Sequence, residues 1–392
     1  MSVPRFQHAT PALRTFCGPD ALAALPGQLD RLGIERAVIF CGQSIPRRHG
    51  EELGRVESTL GKRLAARFDL VESHSPLPVI EGARRLLAEA RADAVIAVGG
   101  GSAIVTARAA SIILAEKRDV RDLCTRREAN GRLSSPRLSA PKLPQWIVPT
   151  TPTTAYARTG SAVRDPITGE RLALFDPQTR AQGIFIDPAL ALTAPVPLAR
   201  SAALNAFAMA VEGLQANVDD PLTEALLTHA LGMLVEWLPR LSSAPEDPEV
   251  RVRLMLAALL SGQGSEYVGG GLAQALSHAA GPRSTTSNGV VEALLLPHTM
   301  RYNAPVTRER LERIGEIVSV RSPSGPSSQQ DAADAVERLL RDVEIPLRLR
   351  EVGVARDSLP EVVAHALDDW FITRVPRPAD RHDLEELLHA AW

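Results

Sequence analysis

The sequence is short of cysteine, of aromatic residues and of any surplus of one charge, and each shortage narrows what the chain can be. Its three cysteines, Cys17, Cys41 and Cys124, are odd in number and widely spaced, so they form neither a disulfide framework nor a zinc knuckle. A reducing, cytoplasmic compartment is the expected setting. A formal net charge of −2, with 44 basic against 46 acidic residues, leaves no basic excess for nucleic acid. Charges of both signs alternate along the chain and read as solvated helix surface. No apolar run approaches the ~18 residues of a membrane span, and residues 1–15 lack the apolar stretch of a signal peptide. The expected partner is therefore a small-molecule substrate, with no nucleic acid and no membrane.

What is present is ordinary globular material, 45% hydrophobic and 23% charged, over a length that calls for two domains. Through residue 186 short apolar runs alternate with helical patterns. Residues 37–41 (AVIFC), 94–98 (AVIAV), 146–148 (WIV) and 183–186 (GIFI) read as buried strands, and residues 20–32, 82–91 and 102–116 as helices. Such alternation implies a largely parallel sheet. After Asp187-Pro188 helical periods dominate: 198–217, 222–238, 249–262, 271–280 and 329–342. Prolines including Pro221, Pro248, Pro297, Pro305 and Pro346 read as helix boundaries. Residues 322–328 (SPSGPSS) read as a surface loop. The expectation is an α/β N-terminal domain with a Rossmann-like parallel sheet over 1–190 and an all-helical domain over 191–392, hinged near 187–195.

Two loops carry chemistry. The AVIAV strand runs straight into Gly99, Gly100, Gly101 and Ser102. Glycines let backbone approach an anion closely, and the free N–H groups of a helix start favour a phosphate. A tight turn alone needs one glycine, not three. The second loop, residues 148–161 (VPTTPTTAYARTGS), follows a strand and is dense in hydroxyls, so Thr150 and Thr151 are candidates for contacting a dinucleotide.

In this order the loops resemble those of the iron-containing alcohol dehydrogenase superfamily, which includes the maleylacetate reductases. The resemblance extends over nearly the whole chain. Phe16-Cys17-Gly18-Pro19 followed by Leu25-Pro26 resembles its opening, and Gly99 to Ser102 its pyrophosphate loop. Pro149-Thr150-Thr151 with Gly160-Ser161 resembles its PTT…GS loop, lengthened by a few residues. Asp220-Pro221-Leu222-Thr223 resembles a helix start, and Leu296-Pro297-His298-Thr299-Met300 with Asn303 its LPHxMxxN stretch. The resemblance implies a dinucleotide-binding domain, a helical domain, an active-site cleft between them, a homodimer, and hydride transfer with NADP(H) or NAD(H).

Metal-dependent members bind one divalent ion through an Asp and a His four apart on one helix and two further His. The matching positions here are Asn205, Met209, Gln274 and Asn288. Neutral amides suit hard cations only beside carboxylates, and a thioether suits soft metals. That set fits no common catalytic ion, so no metal cofactor is expected. Something else must then stabilise developing charge.

His278 is the histidine of the third motif that remains. It reads either as proton donor or as a helix-packing residue. Tyr156 and Arg158, in the lengthened loop, offer a proton donor and a carboxylate clamp, with plain loop surface as the alternative. His298 reads as packing at the LPH turn, and Glu212 as a structural helix glutamate. After the AVIFC run Gly42 stands where NAD-preferring relatives carry an acid, and with Arg47 and Arg48 nearby this favours NADP(H). Together these readings point to a metal-independent NAD(P)H-dependent reductase of a small activated carbonyl, enone or imine. Its rivals are a non-redox cyclase, lyase or isomerase on the same scaffold, and an inactive binding homologue.

Overall fold

A computed structural model describes residues 5–128, 133–321 and 331–392. The expected 322–328 loop, and the first two residues of the expected 329–342 helix, lie outside the described residues. Among the described residues ten strands are present: β1 (Arg14–Cys17), β2 (Ala37–Phe40), β3 (Leu64–Phe68), β4 (Ala94–Gly99), β5 (Arg126–Arg127), β6 (Leu133–Ser134), β7 (Gln145–Pro149), β8 (Gly160–Arg164), β9 (Arg171–Phe175) and β10 (Ala181–Ile186). Six of them form one parallel sheet in the order β1-β10-β7-β4-β2-β3. Every residue of β2, β4 and β7 is buried, which is why those segments are continuous apolar runs without alternation.

The order of strands decides where a ligand goes. From β2 the chain moves outward to β3, then crosses back to β4 on the other side of β2. Loops diverge at such a switch point and leave a crevice beyond the carboxyl ends of the two strands. Gly42 follows β2, and the run of three glycines begins at the last residue of β4, so both candidate segments open onto that edge. β8 and β9 form an antiparallel hairpin whose buried positions alternate, as one covered face requires.

The chain divides into two compact units. One comprises Pro11–Thr151 and Ala155–Ala194; the other comprises Pro195–Trp392 with Pro152–Thr154 and the N-terminal segment up to Thr10. Against the expected division at 190/191, the break falls at 194/195, and two short upstream stretches group with the helical unit. The N-terminal stretch is tied there by His8, whose Nδ1 lies 2.7 Å from Asp220 Oδ2 and whose ring lies tilted against that of Tyr267, centroids 4.5 Å apart.

In the helical unit aspartates accept from first-turn N–H groups of several helices: Asp220 at Pro221–Trp237, Asp247 at Pro248–Val268, Asp331 at Ala332–Asp342 and Asp380 at Arg381–Ala391. A side-chain oxygen there satisfies donors that the helix cannot. The proline at 297 corrects one expectation. Pro297 lies within the helical stretch Asn288–Arg321 without breaking it, whereas Pro305 stands two residues before a kink at Thr307, with φ −128° and ψ 20°, that divides the stretch. Proline removes one N–H and crowds the preceding turn, and here the strain is released two residues beyond Pro305. The Thr307 hydroxyl donates to the Asn303 carbonyl at 2.9 Å and so occupies an acceptor near the break. His298 consequently sits within a helix, not at a turn. Burial together with Arg301 and Arg348 pushes its pKa down to about 4, so it is neutral at physiological pH. Among the described residues no helix is long and apolar enough to cross a membrane.

Candidate active site

In the α/β unit the glycine loop has the form of an anion cradle. Gly99 ends β4 at φ +147°, a conformation that side chains rarely adopt. A Cβ on Gly100 would lie 2.8 Å from Thr151 Oγ1, so only glycine lets the two loops approach this closely. The Thr150 N–H donates to the Gly99 carbonyl at 3.0 Å, joining the loops. The 16-residue helix Gly101–Glu116 then opens with no side-chain cap and no acid in its first turn. Its leading N–H groups and the positive end of its dipole are left to a ligand. This start fits a diphosphate, and Gly99, Gly100, Gly101, Ser102, Thr150 and Thr151 are brought together around it. Gly42 and the exposed Arg47 lie at the neighbouring strand end, Arg47 on the short helix Ser44–Arg48.

Arg108, buried on the same helix, donates to the carbonyls of Gly160 at 3.0 Å and Ala155 at 3.1 Å. Arg180 donates to the Ala157 carbonyl at 3.1 Å. These contacts fix the segment that carries Tyr156 and the half-buried Arg158. Tyr156 is buried, and its hydroxyl donates to the Thr151 carbonyl. That contact ties the phenol to the shape of the threonine loop.

In the helical unit Asn205 and Met209 lie on Val196–Gln215, Gln274 and His278 on Leu272–Ala280, and Asn288 at the start of Asn288–Arg321. The Asn205 amide donates to Glu292 Oε2 at 2.5 Å, and the Met209 sulfur accepts from the Thr154 hydroxyl at 3.5 Å. Two of the four side chains are thus engaged within the protein, and the set supplies amides and a thioether where a divalent transition metal needs anionic or imidazole donors. Among the described residues no group of three or more His, Cys, Asp or Glu is arranged to hold a metal ion. The donor set does not fit a catalytic metal.

Glu212 has a structural task. Its fully buried carboxylate accepts from the N–H groups of Gly271 at 3.0 Å, Ala273 at 2.6 Å and Gln274 at 3.3 Å, capping the helix that carries His278. Burial pushes its pKa up to about 7 against those hydrogen bonds. A carboxyl whose folded-state pKa is raised contributes its stability fully below the ordinary value of 4.5 and loses it as pH climbs through about 7. Denaturant titrations should show stability falling across that window, and Glu212→Gln should flatten the fall. The variant should also cost about 1–3 kcal/mol at the acid end, where its NH2 faces backbone N–H groups. A wild-type profile without the fall would remove Glu212 as its source.

His278 itself is nearly buried, with 10% of its side chain exposed, and its Nδ1 lies 2.7 Å from Asp369 Oδ2. The rings of Trp370 and Phe371 flank the imidazole at 5.8 Å and 5.7 Å. Sequence reading missed Asp369. The only sign of it was an acid beside Trp370-Phe371, and its sequence distance from His278 hid the pairing.

Models of the iron-containing alcohol dehydrogenase family match residues 11–188, and models of the C-terminal part of that family match residues 200–392. Lactaldehyde reductase of Escherichia coli (strain K12) is 31% identical over 385 residues, covering 96% of this chain and 97% of the relative. The chain belongs to the iron-containing alcohol dehydrogenase family. Maleylacetate reductase 1 of Cupriavidus pinatubonensis (strain JMP 134 / LMG 1197) is 28% identical over 380 residues, 97% of this chain and 95% of the relative. An archaeal halo-thermophilic Red Sea brine pool alcohol dehydrogenase has the same fold, with a TM-score of 0.89 over the full length of both chains at 21% identity. The resemblance carried by the motifs is borne out, as is the architecture of parallel sheet and helical C-terminal region. The chain is an oxidoreductase of this family, whose enzymes use NAD(P)H.

Proposed function

We propose that this family member is a metal-independent, NAD(P)H-dependent reductase of a small, polar, already activated carbonyl, enone or imine compound, similar to the maleylacetate reductases. The observation that carries the reading is the pairing of an uncapped glycine-rich helix start with amide and thioether side chains at the positions where family members hold their ion. When bound, the nicotinamide supplies a hydride to the electrophilic carbon. The amides of Gly100, Gly101 and Ser102 hold the diphosphate, and Thr150 and Thr151 shape the adjoining loop. Tyr156 acts by positioning Thr151, since its hydroxyl is already engaged there. Arg158 orients a substrate carboxylate, and His278 delivers the proton that balances the transferred hydride. Gly42 with Arg47 leaves room for a 2′-phosphate, so NADPH is the favoured donor.

Titration with NADPH and NADH should give saturable binding, with NADPH tighter. Turnover of an activated keto acid should oxidise the cofactor stoichiometrically and persist after chelation, with no transition metal found by elemental analysis. His278→Ala should lower kcat on the order of 100-fold with the cofactor Kd unchanged. Dependence on a stoichiometric metal, or no binding of either nucleotide at millimolar concentration, overturns the reading. Substrate turnover at constant NADPH absorbance would replace reduction with a non-redox reaction.

A further inference from the structure

We propose that Asp369 is the positioning residue for His278: its carboxylate fixes the imidazole as the Nδ1–H tautomer, so that Nε2 is the atom that exchanges the proton. This rests on the reading above, in which His278 is the proton donor. Asp369 Oδ2 lies 2.7 Å from His278 Nδ1, while Oδ1 accepts from the Phe371 N–H at 2.9 Å. The carboxylate is therefore held through both oxygens and cannot rotate away without breaking a backbone contact. Side-chain exposures of 10% for His278 and 7% for Asp369 keep bulk water from competing for the bond.

Neighbouring structure restrains both partners. Asp369 caps the turn Trp370–Arg374, whose first two aromatic rings lie against the imidazole and against each other, centroids 5.3 Å apart. His278 stands on a helix whose first turn is clamped by Glu212. An acceptor at Nδ1 leaves the neutral ring with its lone pair on Nε2, and a proton arriving there is stabilised by the carboxylate behind it. The same logic operates wherever a buried aspartate sets the tautomer of a catalytic histidine.

The test uses the full-length protein with NAD(P)H bound. Nitrogen-15 NMR of the His278 ring, on the alkaline side of its titration, should show Nδ1 protonated and Nε2 bare. Asp369→Asn should alter that signature and lower kcat on the order of 100-fold, leaving KM and cofactor Kd within about threefold. Asp369→Glu should recover part of kcat, and it carries the test if Asp369→Asn does not fold. An Nε2–H tautomer in the wild type overturns the proposal, as does Asp369→Asn that changes the signature without changing kcat, or that raises KM and Kd as much as it lowers kcat. If His278→Ala leaves kcat intact while the wild-type tautomer is as expected, the proton-donor reading fails and the Asp369–His278 pairing stands.

Discussion

Gly100→Val should weaken NADPH and NADH binding by about 100-fold or more while the protein stays folded. The backbone at Gly100, φ −89° and ψ −163°, is open to any residue, so the substitution does not strain the chain. What it meets is Thr151: the first added carbon would stand 2.8 Å from the hydroxyl oxygen, and two further methyls follow. Thr151 must move, and the amides at the start of the helix lose their close approach to the phosphates. Two charge-assisted hydrogen bonds are each worth about 1.5–3 kcal/mol, and each ~1.4 kcal/mol is tenfold in Kd. Fluorescence titration reads the affinity, and thermal melting checks the fold. Nucleotide affinity within about threefold of wild type would mean that the diphosphate is held elsewhere. The same change at Gly99 is a poorer probe, because φ +147° strains any side chain.

Lys142→Met should cost about 3–5 kcal/mol of stability. No part of the Lys142 side chain is exposed. Its ammonium lies 2.7 Å from Glu116 Oε1 and 2.9 Å from Asp176 Oδ2, and donates to the Ala140 carbonyl. Methionine fills the space and leaves two buried carboxylates facing one another without a cation. The hydrogen bond from Lys142 holds the Glu116 carboxyl below its ordinary 4.5. A lowered carboxyl contributes its stability above the unfolded value and loses it as pH falls through the folded one. Urea denaturation should therefore show the gap between wild type and Lys142→Met widest at neutral pH and narrowing below about 4.5. A gap under about 1 kcal/mol at neutral pH would show that the three charges are solvated in solution.

The sheet's central strands were legible because burial on both faces writes itself as an uninterrupted apolar run, as in AVIAV and GIFI. The edge strands β1 and β3 were not, since RTFC and LAARF are half exposed and carry charge. The β8–β9 hairpin carries a local signal of its own in the sequence. Alternating GSAVR and RLALF flank a turn with Gly169 at φ +74°, but the hydroxyl-rich loop read over 148–161 overlaps only the first two residues of β8. Proline marks a helix break at Pro305, two residues before the kink at Thr307, but not at Pro297, which lies inside a continuous turn of helix. In the site, the glycine loop and His278 could be found locally, in a strand end and a helix motif. Asp369 could not, because it meets His278 only through tertiary packing of segments 91 residues apart.

The clasp of His8 sets an order of events during synthesis. His8 is synthesised 212 residues ahead of its hydrogen-bond partner, Asp220, and further still ahead of Tyr267. The parallel sheet is complete in sequence, at Ile186, before either partner of His8 has been made. Only once the helices Pro221–Trp237 and Pro248–Val268 exist can His8 be secured.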